Sequence, residues 1–338
     1  MKRLLVTGGA GFIGSNFVRH LLNRHDYEVV NLDKLTYAGN LDNLRGIEER
    51  HTFLQGDICD PQAVAAALRG CDAVVNFAAE THVDRSLVDA GAFIQTDVYG
   101  VFVLLEAARR QGIERFLQIS TDEVYGPRFP DSPARETDAL APANPYAASK
   151  AGAEMLCQSY FRAYGVPVLI ARSRNNVGPR QHPEKAVPLF VTNVLDDQPL
   201  PVYGEGLQVR DRLYVDDNCE ALDLILHKGV PGEAYNVGAD NERSNIEVVE
   251  TILRLVGKPR SLIRFVEDRT NHDARYSVDA SKVRALGWRP RHDFDAALAK
   301  TVAWYRDNRW WWEKVKSGEY AAYYQRQYAD RLAKSRGL

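Results

Sequence analysis

The sequence is short of the residues that would staple or anchor it. Its four cysteines, Cys59, Cys71, Cys157 and Cys219, stand far apart, with no paired C-x-x-C spacing and no histidine beside them in a zinc pattern. A disulfide framework and a structural zinc are both disfavoured. The cysteines read as buried, reduced thiols, and no metal is expected. Neither charge sign is in excess, with 43 Lys+Arg against 45 Asp+Glu and a net charge of −2. Such a balance supplies no global field to draw in a nucleic-acid backbone or an anionic membrane. No apolar run approaches the roughly 18–20 residues that span a bilayer. The opening Lys2-Arg3-Leu4-Leu5-Val6 mimics a signal peptide, but it breaks at Thr7-Gly8-Gly9 with no A-x-A site in it. The expectation is a cytoplasmic protein with no nucleic-acid and no membrane partner.

What is present is enough apolar residue, 45% of 338, for a sizeable core in about two domains. Short apolar runs alternate with amphipathic stretches. Strands are expected at Leu4–Val6, Glu28–Leu32, His51–Gln55, Ala73–Phe77, Arg115–Ser120 and Val166–Ala171, with helices at Ile13–Asn23, Pro61–Arg69, Ala92–Gln111 and Pro145–Tyr164. This rhythm predicts an α/β fold, a doubly wound parallel sheet of the Rossmann kind covered on both faces. After Arg172 the pattern turns to loops punctuated by prolines. Residues 1–172 are therefore assigned to a dinucleotide domain, with a return strand near 234–238, and 173–338 to a smaller α/β substrate domain.

Gly8, Gly11 and Gly14, spaced G-x-x-G-x-x-G, lie between the first strand and the first helix. A turn of this kind brings bare backbone N–H groups against a pyrophosphate at a helix N-terminus. Asp33 closes the second strand 19 residues after Gly14, where a carboxylate accepts hydrogen bonds from an adenosine ribose and repels a 2′-phosphate. NAD is favoured over NADP, a preference that Lys34 weakens slightly. Asp57-Ile58, ending the third strand, is placed to meet the adenine edge, unless Asp57 only caps the helix after Pro61.

Tyr146 and Lys150 form Y-x-x-x-K, a spacing that stacks both side chains on one helix face. An ammonium about 4 Å from a phenol is worth roughly 4 kcal/mol at an effective dielectric near 20, before desolvation is subtracted. Lys150, helped by an oxidised nicotinamide, can therefore make Tyr146 a usable base. Ser120-Thr121-Asp122-Glu123-Val124-Tyr125-Gly126 follows the fifth strand, at the carboxyl edge where open α/β sheets place ligands. Thr121 can bond a substrate hydroxyl. The adjacent carboxyl groups imply proton transfers beyond simple redox, one as base and its neighbour as acid, its pKa raised by like charge and burial.

Taken together, these segments resemble the extended short-chain dehydrogenases/reductases of the NAD-dependent epimerase/dehydratase family, and within it the dTDP-glucose 4,6-dehydratases. The resemblance is carried by GGAGFIGS from Gly8, DKLTYAGN from Asp33, FAAETHVDRS from Phe77, TDEVYG from Thr121, YAASK from Tyr146, Asn175-Asn176, PEKAVP from Pro183, VRDRLYV from Val209 and DRTNHDARY from Asp268. It implies that NAD is held by Gly8, Gly11, Phe12, Ile13, Gly14, Asp33, Lys34, Thr36, Asp57, Ile58, Phe77, Ala78, Ala79, Thr96, Tyr146, Lys150 and Asn176. It further implies that dTDP-glucose meets Thr81, Thr121, Asn175, Lys185, Ala186, Pro201, Tyr203, Arg210, Asn245, Arg269 and His272. The implied reaction oxidises C-4, eliminates water across C-5 and C-6 with Glu123 as base and Asp122 as acid, and reduces C-6. The product is a 4-keto-6-deoxy sugar nucleotide for deoxysugar synthesis. A homodimer formed through helices flanking the sheet is also implied.

Four positions depart from the family pattern: Arg174 for a small residue, Val177 for an aromatic, Arg212 for Trp and Asn271 for Gly. A C-4 epimerase on the same scaffold and a non-catalytic NAD-binding module are the alternatives. Asp122-Glu123 speaks against the first, and the complete Thr121, Tyr146, Lys150 set against the second. The aromatic stretch from Trp304 to Tyr328 is expected to pack on its own domain.

Overall fold

The computed structural model describes residues 1–128, 132–268, 273–317 and 319–337. The chain forms two compact units, one of Met1–Arg174, Asp216–Gly238 and Ser277–Arg289, the other of Asn175–Val215, Ala239–Tyr276 and Pro290–Leu338. A single cut after Arg172 therefore leaves more of the first unit on the wrong side than the return strand alone.

In the first unit, six strands run in chain order: β1 (Arg3–Thr7), β2 (Glu28–Asp33), β3 (Thr52–Gln55), β4 (Ala73–Asn76), β5 (Arg115–Thr121) and β6 (Val168–Ser173). With the return strand Ala234–Val237 they make one seven-stranded sheet, in the order Ala234–Val237, β6, β5, β4, β1, β2, β3. Every pairing is parallel. Helices on both faces remove the sheet from water, which is why Leu4, Leu5 and Val6 are fully buried with no alternation along β1. β6 starts two residues later than the sequence suggests, just past Pro167, which has no N–H for the ladder. Register aligns the strands' carboxyl ends, with Thr7 opposite Asn76 and Thr121 opposite Ser173. The residues that follow those ends, Gly8, Phe77 and Asp122, consequently share one rim.

One expectation needs correction. Ala90–Gln111 is a continuous helical run, long and apolar enough to cross a membrane by length and composition, with a mean hydropathy of 1.2. The interruptions at Asp97 and Glu106 hide this in the sequence. Only 39% of its apolar window is buried within the chain, and the helix contains a π-helical segment over Ile94–Gly100.

The second unit is built from short pairs: Leu200–Tyr203 parallel to Ile263–Val266, Asn176–Val177 parallel to Leu213–Tyr214, and Val209–Asp211 antiparallel to Glu242–Ser244. Its core joins Val187, Phe190, Val249 and Ile252 to Tyr305, Trp311, Trp312 and Tyr328. The aromatic stretch thus packs on its own unit, and Trp310 alone of its tryptophan run stays largely exposed. The four cysteines are free thiols; three are buried, whereas Cys59 is only partly so.

Candidate active site

The turn after β1 is shaped for a close ligand. Gly8 has φ +67°, and a Cβ there would lie 2.6 Å from the Ala78 nitrogen; one on Gly14 would lie 2.3 Å from the Gly8 oxygen. Only glycine permits both. Gly11 begins the helix Phe12–Arg24, whose N-terminus no side chain caps, so its first N–H groups point out as anion donors. Asp33 accepts hydrogen bonds from the backbone N–H groups of Ala10 (2.9 Å) and Leu35 (2.8 Å), one on each oxygen. Each oxygen keeps a lone pair for a ribose hydroxyl, while burial pushes the carboxyl upward against those bonds. Lys34 turns instead to Asp57, 2.7 Å away, which removes the nearest cation from any 2′-phosphate. Asp57 is not the cap of the next helix; Asp60 fills that place, accepting from Gln62 N–H. Phe77, Ala78 and Ala79 follow β4 on the same rim, half-buried, and Thr36 is exposed. The Ile58 side chain is 3% exposed and belongs to the sheet core, which leaves its backbone as the part that can face a ligand. The rim's bare donors, glycine cradle and ribose-facing carboxylate fit a dinucleotide.

Thr121 ends β5, and its hydroxyl accepts from Glu123 N–H (3.3 Å) and donates to an Asp122 oxygen (3.3 Å). This folds Asp122–Tyr125 into a single tight turn. The acidic pair is not a solvated one: Asp122 is 2% exposed and Glu123 half-buried. Asn144 joins this turn to the helix Pro145–Tyr164, which carries Tyr146 and Lys150. Its Oδ1 caps the helix by accepting from Ala147 N–H (2.8 Å), and its Nδ2 donates to Glu123 Oε2 (3.3 Å). The Asn-Pro pair at a helix start was the signal that could have found it.

Electrostatics differ from the sequence expectation. Burial, then Glu123 and Asp97, hold the Tyr146 hydroxyl well above the usual phenol range, and a Thr121 hydrogen bond opposes them. Burial lowers the Lys150 ammonium, while Asp97 and Glu154 pull it back up. Lys150 thus faces the carboxylates of Asp97 and Glu154, and the largest influences on the phenol come from burial and from the acidic groups instead. Asp97 was not legible. It lies in the π-helical segment, 1% exposed, and accepts from Ser149 Oγ (2.7 Å) and Glu80 N–H (2.8 Å). Burial pushes it up to about 6, with Lys150 opposing. Thr96 precedes it, half-buried.

A testable consequence follows from that shift. Because the folded value exceeds the ordinary 3.8, neutral Asp97 favours the fold at low pH, and this contribution is lost as pH rises through about 6. Asp97→Asn should leave stability nearly unchanged at pH 4 and raise it by about 2–3 kcal/mol at pH 8. Thermal unfolding at both pH values checks this; a variant less stable at pH 8 refutes it.

Arg174, a departure from the family pattern, proves to be buried, with Nε 3.4 Å from Asp122 Oδ2. The neighbour of the expected acid is thus a cation as well as Glu123. Beneath them, Arg172 bonds Glu154 through Nε (3.0 Å) and Nη2 (2.6 Å), and through Nη1 reaches the Tyr125 hydroxyl (2.5 Å) and the Glu136 carbonyl (3.2 Å). Tyr125 donates onward to Asn236 of the return strand (2.8 Å), and burial pushes its hydroxyl up to about 12. This network ties the Thr-Asp-Glu turn to the helix bearing Tyr146 and Lys150.

In the second unit, Arg210 is buried and donates to the carbonyls of Val209 (2.7 Å), Asp273 (2.8 Å) and Ala274 (3.4 Å). Its cation lies over the Tyr276 ring. Arg212 donates to Asn245 Oδ1 (2.7 Å), so this departure holds an expected substrate ligand in place. Lys185 stands at the N-cap of the helix Ala186–Leu195, half-buried, with Ala186 exposed. Pro201 and Tyr203 lie in one strand, and the Tyr203 hydroxyl accepts from Gln327 (2.6 Å). Asn176 and Val177 are buried and Asn175 half-buried. Thr81 is half-buried in the first unit. Arg269, His272 and Asn271 lie outside the described residues.

Comparison with known proteins places the whole chain. The profile of the GDP-mannose 4,6 dehydratase family matches residues 5–301. Low-salt glycan biosynthesis protein Agl12 of Haloferax volcanii is 52% identical over 89% of this chain and 98% of its own. dTDP-glucose 4,6-dehydratase of Neisseria meningitidis is 48% identical over 95% of this chain and 98% of its own. The crystal structure of DesIV, a dTDP-glucose 4,6-dehydratase from Streptomyces venezuelae solved with NAD and dTDP bound, superposes with a TM-score of 0.90 at 49% identity, covering 93% of this chain and all of that one. The chain belongs to the sugar-nucleotide dehydratase family of the NAD-dependent short-chain dehydrogenases/reductases.

Proposed function

We propose that this protein is a dTDP-glucose 4,6-dehydratase, a hydro-lyase that makes dTDP-4-keto-6-deoxyglucose and water with bound NAD. The observation that carries the reading is a buried Asp122 and half-buried Glu123, folded by Thr121 onto the rim where the glycine turn sits. Simple epimerisation at C-4 gives two such carboxyl groups nothing to do. NAD held by the Gly8–Gly14 turn and Asp33 supplies a hydride acceptor at C-4 and a hydride donor at C-6. Tyr146, bonded by Thr121, takes the proton of the 4-hydroxyl. Once C-4 is a ketone the C-5 proton is acidic, and Glu123, steadied by Asn144, removes it; a proton is restored at C-5 when C-6 is reduced. Asp122 hands a proton to the departing 6-hydroxyl. In the second unit, Asn175, Lys185, Arg210 and Asn245 supply the ligands for the nucleotide half. The direct test incubates the protein with dTDP-glucose and follows product mass. Loss of one water with no net consumption of NAD is expected; unchanged mass with inverted C-4 overturns the reading.

Arg174 bears on the acid step. A guanidinium beside a carboxylate favours its ionised form, the reverse of what a proton donor needs. Arg174→Ser should therefore speed the elimination step at pH 8 by up to about tenfold, measured in single turnovers. A slower step would place Arg174 on the substrate instead.

We also propose a cytoplasmic homodimer. Ile94, Tyr99 and Phe102 of the helix Ala90–Gln111 and Met155 of the catalytic helix are exposed, and a second copy covering them accounts for an apolar helix that its own chain leaves largely open. Sedimentation of Phe102→Glu/Met155→Glu should show a monomer where the parent shows a dimer.

A further inference from the structure

Far from the catalytic rim, three histidines converge on one carboxylate. His20 lies in the helix Phe12–Arg24, His25 is the residue that caps its end, and Asp223 and His227 stand at i,i+4 on the helix Val215–Lys228. His20 Nε2 and His25 Nε2 each lie 2.9 Å from Asp223 Oδ2, and His227 Nδ1 lies 3.0 Å from Oδ1. These positions precede β2 and the return strand, at the amino edge of the sheet, whereas the reacting groups occupy the carboxyl edge. The mechanism uses none of them. No sequence spacing reveals the cluster, because its halves are about 200 residues apart.

We propose that His25, Asp223 and His227 form a binding site for a late first-row divalent cation, of the class of zinc, cobalt or nickel. The candidate donor atoms of these three residues lie within 4.8 Å of one another, so modest side-chain rotations bring them around one ion at the usual distance of about 2.0–2.2 Å. Two imidazoles and one carboxylate select such an ion over magnesium or calcium, which take oxygen ligands. Asp223 and His227 share one helix face, and the partly buried positions of all three side chains limit their motion.

The surroundings supply an outer shell. His227 Nδ1 donates to the Asp223 carbonyl (2.7 Å), and its Nε2 meets the Tyr27 hydroxyl (2.7 Å). When a metal takes Nδ1, the ring proton moves to Nε2 and is donated to Tyr27, the second-sphere bond that ligating histidines ordinarily make. His20 stays on Asp223 Oδ2 and fixes the carboxylate plane, or offers a third nitrogen as a fourth ligand. The adjacent Arg24 is engaged by Glu220 at 2.7 Å, so its charge does not face the ion unscreened. Two sequence-distant segments of the first unit are joined by such a site, and an ion there acts as a clamp on the fold rather than as a reagent.

The test uses the full chain, stripped with chelator and titrated with cobalt(II). One equivalent should bind with a ligand-field absorption in the visible, displaced by zinc, and the melting temperature should rise. His25→Gln and Asp223→Asn should each abolish the absorption. Tyr27→Phe should weaken binding by roughly tenfold or more. Dehydratase turnover should be the same with and without the ion. Absence of saturable binding by the parent chain overturns the proposal, as does binding that survives both substitutions. Should the substitutions prevent folding, histidine ring resonances of the parent decide: His25 and His227 must shift on cobalt addition while His51 and His182 do not, and the opposite pattern overturns it.

Discussion

Glu123→Gln is expected to cut water loss by about 10²–10⁴-fold while C-4 oxidation continues, so that reduced nicotinamide accumulates on the enzyme and is seen by its absorbance. Glutamine keeps the shape of the turn and can still accept from Asn144 Nδ2, but it cannot take the C-5 proton. The structure adds a sign to this result. Glu123 is the largest charge effect holding the Tyr146 hydroxyl up, so removing its charge makes Tyr146 easier to deprotonate. Oxidation at C-4 should be at least as fast as in the parent. Undiminished dehydration removes Glu123 from its assigned role. Loss of both steps together would show that the substitution disturbs the site as a whole.

The second large effect is on stability. Arg172→Met is expected to destabilise the fold by about 3–5 kcal/mol, the typical consequence of leaving a buried charge without its partner. Glu154 is fully buried and loses hydrogen bonds from two Arg172 nitrogens, and the Tyr125 hydroxyl loses the same cation. Denaturant unfolding measures the loss. Arg172→Met/Glu154→Leu should recover much of it, since replacing both ions by packed apolar groups removes the unpaired charge. The doubly substituted chain should nevertheless dehydrate slowly, because Tyr125 then no longer anchors the Thr-Asp-Glu turn to the catalytic helix. Parent-like turnover in the double variant would show that the network serves stability alone.

These two cases mark what could be read in the sequence. The glycine turn, Asp33, Thr121-Asp122-Glu123 and Tyr146-Lys150 are local patterns whose spacing carries their chemistry, and strand rhythm set the rim on which they meet. Asp97 gave no signal, because a π-helical segment shifts which face its residues present and nothing in Ile94–Gly100 announces it. Arg172 was invisible because its partners, Tyr125, Glu136 and Glu154, come from three separate segments. Arg174 was noticed as unusual, but only its distance from Asp122 gives it meaning. The order of influences on Tyr146 also depends on burial, which spacing does not convey.

The first unit is stitched from three stretches of chain. Its sheet edge pairs Ile170 with Ala234, and the segment leading from β5 pairs Ala134 with Val278, so contacts that close the nucleotide fold await residues made long after β6. Synthesis at about 5–20 residues per second leaves β6 an exposed edge for several seconds, while the second unit's strands are already emerging. A nascent chain halted near residue 172 should therefore be a substrate for chaperones and proteases rather than a free-standing domain, and the two units should mature together.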